Sequence, residues 1–168
     1  MKKRKILLLA SLLLTVNLIA QKETSDQGFT TMLNKLLSHT VKEVLPNEIK
    51  NDSTYIFLDA REKQEYNVSH IQNALWVGYE NFKPKILKDI PKDRPIIVYC
   101  TVGYRSEKIA EKLLKNGYTD VSNLYGGIFE WVHNNKKVSD GNTTTYKIHT
   151  YNKEWSKWLK KGEKIYQQ

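Results

Sequence analysis

Two patterns of apolar residues alternate along the middle of the chain. Short, nearly continuous apolar and β-branched runs occur at residues 55–58, 75–77, 95–99 and 121–124. Runs of that length and continuity predict strands buried on both faces of a parallel sheet. Between them the spacing changes to three and four. Ile109, Ala110, Leu113 and Leu114 share one helical face, and so do Phe29, Met32, Leu33, Leu36 and Leu37 over residues 29–38. Gly117 marks a helix end. Gly126-Gly127 permits a sharp entry into a helix over Ile128 to Val132. An edge strand is expected over 41–45, a short helix from Pro46, and a helix over 79–87 broken at Pro84. In the last third, residues 146–151 alternate loosely as a strand would. Trp155, Trp158 and Leu159 fall on one face of a helix predicted over 152–165. Strands alternating with helices imply an α/β fold with an open parallel sheet and helices on both faces. The tail reads as a C-terminal helical extension, either docked through its tryptophans or presenting its lysines to an acidic partner or anionic lipid.

The net charge of +9 changes meaning once it is divided. Residues 1–20 carry Lys2, Lys3, Arg4 and Lys5 and no acid. Residues 21–133 hold 15 basic and 15 acidic side chains, and residues 134–168 hold eight lysines against Asp140, Glu154 and Glu163. The central part is neutral, so a nucleic-acid-binding surface on it is not expected. Residues 1–20 have a basic start followed by an apolar stretch from Ile6 to Ala20. This reads as a signal peptide, cut after Ala20, that sends the protein to the periplasm or outside the cell. Left uncut, the same segment would anchor the chain in the membrane. Membrane contact is otherwise expected only through the basic tail. The organisation expected is a signal peptide at 1–20, a leader with a short amphipathic helix at 21–39, the main α/β domain at 40–133 and a basic aromatic extension at 134–168.

Chemistry gathers at the single cysteine. A lone Cys excludes an internal disulfide and a Cys-rich metal site. Cys100 ends the strand at 95–99, and Thr101, Val102, Gly103, Tyr104, Arg105 and Ser106 lead into the next helix. A strand turning sharply into a helix points several backbone N–H groups at one spot, with the positive end of the helix dipole behind them. A thiol there is expected to have a lowered pKa and to react as the thiolate. Four residues separate Cys100 from Arg105, a spacing that wraps a small anion.

The run Cys100, Gly103, Arg105, Ser106 resembles the active-site loop of the rhodanese family, although Thr101 stands where many active members carry a basic residue. Asp59, Arg61, Glu65-Tyr66 and His70-Ile71 with Ala74 resemble the family's first signature, and Asn123 to Trp131 its closing one. The resemblance covers about residues 40–133. It implies a sulfurtransferase: Cys100 takes the outer sulfur of a donor such as thiosulfate and passes it to a thiophilic acceptor through a persulfide. Residues 101–106 would bind the substrate, with Asp59, Arg61 and His70 in supporting roles. By chemistry alone, Asp59 and Arg61 read as a structural ion pair and His70 as a hydrogen-bonded loop residue. No metal or organic cofactor is implied, the partners are small molecules, and a monomer is expected. Two other readings remain open. One is a non-catalytic binding or redox-sensing module. The other is a Cys-loop phosphatase or arsenate reductase, whose loops place five residues between Cys and Arg and so form a wider cradle.

Overall fold

The computed structural model describes residues 22–166. The expected signal peptide therefore lies outside the described residues. Five strands form one parallel sheet in the order β1-β6-β5-β2-β4: β1 (Lys42–Val44), β2 (Ile56–Asp59), β4 (Leu75–Trp76), β5 (Ile96–Tyr99) and β6 (Val121–Leu124). The central strand β5 is buried at every position, as its unbroken Ile-Ile-Val-Tyr run requires.

Alternation along the central strands divides the core into two layers. Phe57, Ile97 and Tyr99 face α1 (Gln27–Leu36) and α4 (Gly127–His133), packing with Phe29, Leu33, Ile128 and Trp131. Leu58, Ile96, Val98 and Cys100 face α3 (Tyr104–Lys115) and its Ile109, Ala110 and Leu113. Helix α1 starts where Asp26 caps it, its carboxylate accepting the Phe29 N–H at 2.9 Å. Buried Glu107 of α3 accepts the N–H groups of Ser38 and Thr40 at 3.0 and 3.1 Å, fixing the link from α1 to β1.

Beyond β2 lie α2 (Lys63–Val68) and β3 (His70–Ile71). The latter joins a small antiparallel sheet with β7 (Val138–Ser139) and β8 (Thr144–Thr145), in the order β3-β7-β8. The region expected to be a helix over 79–87 holds a single 3₁₀ turn, Pro84–Leu87. Proline starts this turn, because its missing N–H is harmless only at a first position.

The tail corrects the expectation of a helical extension. Only α5 (Lys153–Ser156) is helical, capped by the Asn152 side chain. The chain then turns at Gly162, with φ +97°, into β10 (Glu163–Ile165), which pairs in parallel with β9 (Lys147–His149). The helical course that the tryptophan spacing implied stops at Ser156, and the left-handed Gly162 leads the chain into the strand instead. This β-α-β unit docks on the α1/α4 layer, where Ile148 and Leu159 are fully buried. Among the described residues, no helix is long and apolar enough to cross a membrane.

Candidate active site

Cys100 follows directly on β5, and the chain reaches α3 within four residues. Gly103 makes the turn at φ +120°, where a side chain would be strained. Its N–H points back at the thiol and donates to Cys100 Sγ at 3.1 Å. The loop is clamped from behind. Asn123 of β6 donates to the Gly103 carbonyl at 3.0 Å and accepts the Ser106 hydroxyl at 2.7 Å. Helix α4 abuts the loop end-on, with Ile128 N–H donating to the Cys100 carbonyl at 2.9 Å. Gly127 makes this approach feasible, since a Cβ there would sit 2.4 Å from the Cys100 oxygen.

Arg105 does not reach over the loop as its spacing implied. Its Nη1 and Nη2 donate to the Glu65 carboxylate at 2.6 and 2.9 Å, and Nη2 also donates to Thr101 Oγ1 at 2.9 Å. The Thr101 hydroxyl donates to Glu65 at 2.9 Å, and the Glu62 N–H completes the set at 2.9 Å. Burial alone would raise the Glu65 pKa, but the Arg105 hydrogen bonds and charge outweigh it and hold the carboxyl below its ordinary range. Burial likewise opposes the charge on Arg105, yet its hydrogen bonds to Glu65, with the neighbouring Cys100 and the Glu65 charge, hold its pKa above normal. The outer face of the guanidinium is covered by Tyr151, 5.2 Å from its ring centre.

Asp59 and Arg61 form a fully buried fork, with Nη2 to Oδ2 at 2.6 Å and a second bond from Nη2 to the Ser69 carbonyl at 2.6 Å. They tie β2 to the start of β3 and do not line the cleft. His70 lies in β3 rather than in a loop, stacked on Tyr66 with ring centres 3.9 Å apart. Ser106 likewise turns inward to Asn123, so its part is to hold the loop. The thiol opens onto a cleft of about 560 Å³, lined on the loop side by Thr101, Val102, Tyr104 and Arg105. Leu36 of α1 and Tyr151 and Trp155 of the tail form the opposite wall.

Residues 41–134, more than half of the chain, match the rhodanese-like domain family. This chain belongs to that family. Its Cys100 loop, Asp59–Arg61 pair and Gly126-Gly127 turn all lie inside the matched span, whereas Leu36, Tyr151 and Trp155 lie outside it. The chain is 36% identical over 96 residues to tRNA uridine(34) hydroxylase of Buchnera aphidicola, covering 54% of this chain and 30% of that protein. It is 31% identical over 106 residues to the Yersinia pestis protein of the same name, covering 60% of this chain and 30% of that one. It thus spans less than a third of the length of these curated relatives. The fold is that of a protein from Bacillus halodurans, with TM-score 0.54 and 24% identity over 68% of this chain and 85% of that one. A thiosulfate sulfurtransferase from Pseudomonas aeruginosa shares it too, with TM-score 0.54 and 22% identity over 61% of this chain and 21% of that one.

Glu65 is the site residue that sequence reasoning left without a role. Its signal was present, since Glu65-Tyr66 belongs to the first signature, but the partners that make it part of the loop lie 36 and 40 residues away.

Proposed function

We propose that this protein is an exported sulfurtransferase that carries sulfane sulfur as a persulfide on Cys100. The observation that carries the reading is the Gly103 N–H donating to Cys100 Sγ at the floor of an open cleft, ahead of the twelve-residue helix α3. A donor such as thiosulfate supplies the simplest chemistry. The Cys100 thiolate attacks the outer sulfur, the S–S bond of thiosulfate breaks, and its electron pair leaves with sulfite. The Gly103 N–H, already on Sγ, and the orphan N–H groups that any helix leaves in its first turn would stabilise the growing negative charge. Arg105 acts through the loop, holding Thr101 and α2 in register by way of Glu65. A thiophilic acceptor then removes the outer sulfur and returns Cys100 to the thiolate. No step needs a metal or organic cofactor.

A Cys-loop phosphatase would need its arginine free to take two phosphate oxygens. Here both terminal nitrogens of Arg105 are committed to Glu65, which disfavours that reading. The test is intact mass. Purified protein and its Cys100→Ser variant are each mixed with thiosulfate, and then with inorganic polysulfide. A gain of one sulfur on the wild type alone, lost on adding cyanide with thiocyanate formed, is the expected result. No gain with either donor would refute it.

A further inference from the structure

The cleft over Cys100 is larger than a small inorganic donor needs. Its volume of about 560 Å³ falls in the range of sites for organic ligands. Among the described lining residues its one cation is Arg105, and Glu65 already neutralises that charge. Two further carboxylates, Glu62 and Glu80, stand at the rim, Glu62 only 4.0 Å from Arg105. The rim is therefore net negative, and the attraction for an anion is confined to the N–H groups beside the thiol.

Apart from Thr101 and the thiol, the rest of the lining is aliphatic or aromatic. Leu36, Val102 and Trp155 face Tyr104 and Tyr151, and both tyrosines keep about half of their surface exposed. Tyr151 is held there at some cost. Its backbone is left-handed at φ +67°, a conformation that disfavours a large side chain, and its N–H is pinned to His149 Nδ1 at 3.1 Å. Tyr151 is thus fixed with its ring over Arg105 and at the edge of the cleft, and backbone strain of this kind clusters at ligand sites.

We propose that the sulfur acceptor of Cys100 is an organic thiol, uncharged or cationic, whose apolar body packs between Leu36, Tyr151 and Trp155. This rests on the persulfide reading above. The acceptor thiolate attacks the outer sulfur of the Cys100 hydropersulfide, the Cys100 S–S bond breaks, and the electron pair returns to Cys100 Sγ under the Gly103 N–H. The outer sulfur and its proton leave as the acceptor's hydropersulfide. Excess thiol converts this product to its disulfide and hydrogen sulfide, which gives the readout.

The full-length protein is loaded with inorganic polysulfide, and loading is confirmed by mass. Sulfide release is then followed with phenethyl thiol, cysteamine and mercaptoethanesulfonate at equal thiolate concentration. Phenethyl thiol is expected to be fastest and mercaptoethanesulfonate slowest, about tenfold or more apart, the factor that roughly 60 Å² of apolar contact supplies. Tyr151→Ala should shrink that ratio severalfold, and Glu62→Gln with Glu80→Gln should raise the rate of the sulfonate. Equal rates for the three thiols, or a faster sulfonate, would overturn the inference while leaving the persulfide carrier standing. A ratio unchanged in Tyr151→Ala would overturn it as well, since general damage to the fold lowers all three rates together. Failure to load overturns both readings.

Discussion

Glu65→Gln tests whether the buried carboxylate is what fixes the arginine of the loop. In the native protein, the Glu65 side chain is fully buried and takes bonds from Arg105, Thr101 and the Glu62 N–H. The amide keeps the shape and removes the charge, and its NH₂ group must face the guanidinium. Breaking a buried pair by removing one partner costs about 3–5 kcal/mol. The Arg105 side chain is 13% exposed and regains some hydration, so the lower end, about 3 kcal/mol, applies. With a urea slope of about 2 kcal/mol per molar, the midpoint should fall by about 1.5 M. Adding Arg105→Leu should recover much of this loss, because no buried charge is left without a partner. The carboxyl has a folded pKa below its ordinary 4.5, so its contribution is complete above that value and is lost as pH falls through the lower folded one. Wild type and Glu65→Gln should therefore converge in acid. The same variant frees Arg105 toward the cleft, and loading from thiosulfate should then speed up relative to loading from polysulfide. A midpoint shift below about 0.4 M, or a double variant less stable than Glu65→Gln alone, would refute the reasoning.

Two further outcomes follow from other contacts. Gly127→Ala places a Cβ 2.4 Å from the Cys100 carbonyl and 2.7 Å from Thr101 backbone atoms, at φ +57°. It should lose at least about 2 kcal/mol in thermal or urea unfolding, and any folded fraction should load sulfur slowly because the loop must shift. Burial holds the pKa of His149 below 6.5, so its contribution is full above 6.5 and is lost as pH falls through the lower folded value. His149→Leu leaves the Tyr151 N–H without its acceptor and should be less stable at neutral pH, but its unfolding midpoint should change less between neutrality and mild acid.

What was legible in the sequence was what is local. Ile96 to Tyr99 could only be a central strand, and the glycines at 103, 126 and 127 stand where the chain needs positive φ or a close approach. The buried Asp59–Arg61 pair was readable because a single residue separates its partners along one strand end. The orientation of Arg105 was not, since it depends on a carboxylate on another element and no local pattern encodes that pairing. The tail was misread for a related reason. Trp155, Trp158 and Leu159 fit a helix as well as a compact turn, and the mostly polar strand Glu163–Ile165 becomes a strand only by pairing with Lys147–His149.

The wall of the cleft and its thiol come from different parts of the chain. The last strand of the main sheet is complete at Leu124, while Tyr151 and Trp155 are translated later and are held by the β9–β10 pair, which closes only at Ile165. The loop that holds the thiol and the surface that walls its cleft therefore rest on separate hydrogen-bonded units. On the acceptor proposal above, replacing Tyr151 and Trp155 in the intact chain should widen the range of thiols that reach Cys100. By the same proposal, selectivity lies in residues outside the family-matched span, and exchanging the tail should change it without touching the residues around the thiol.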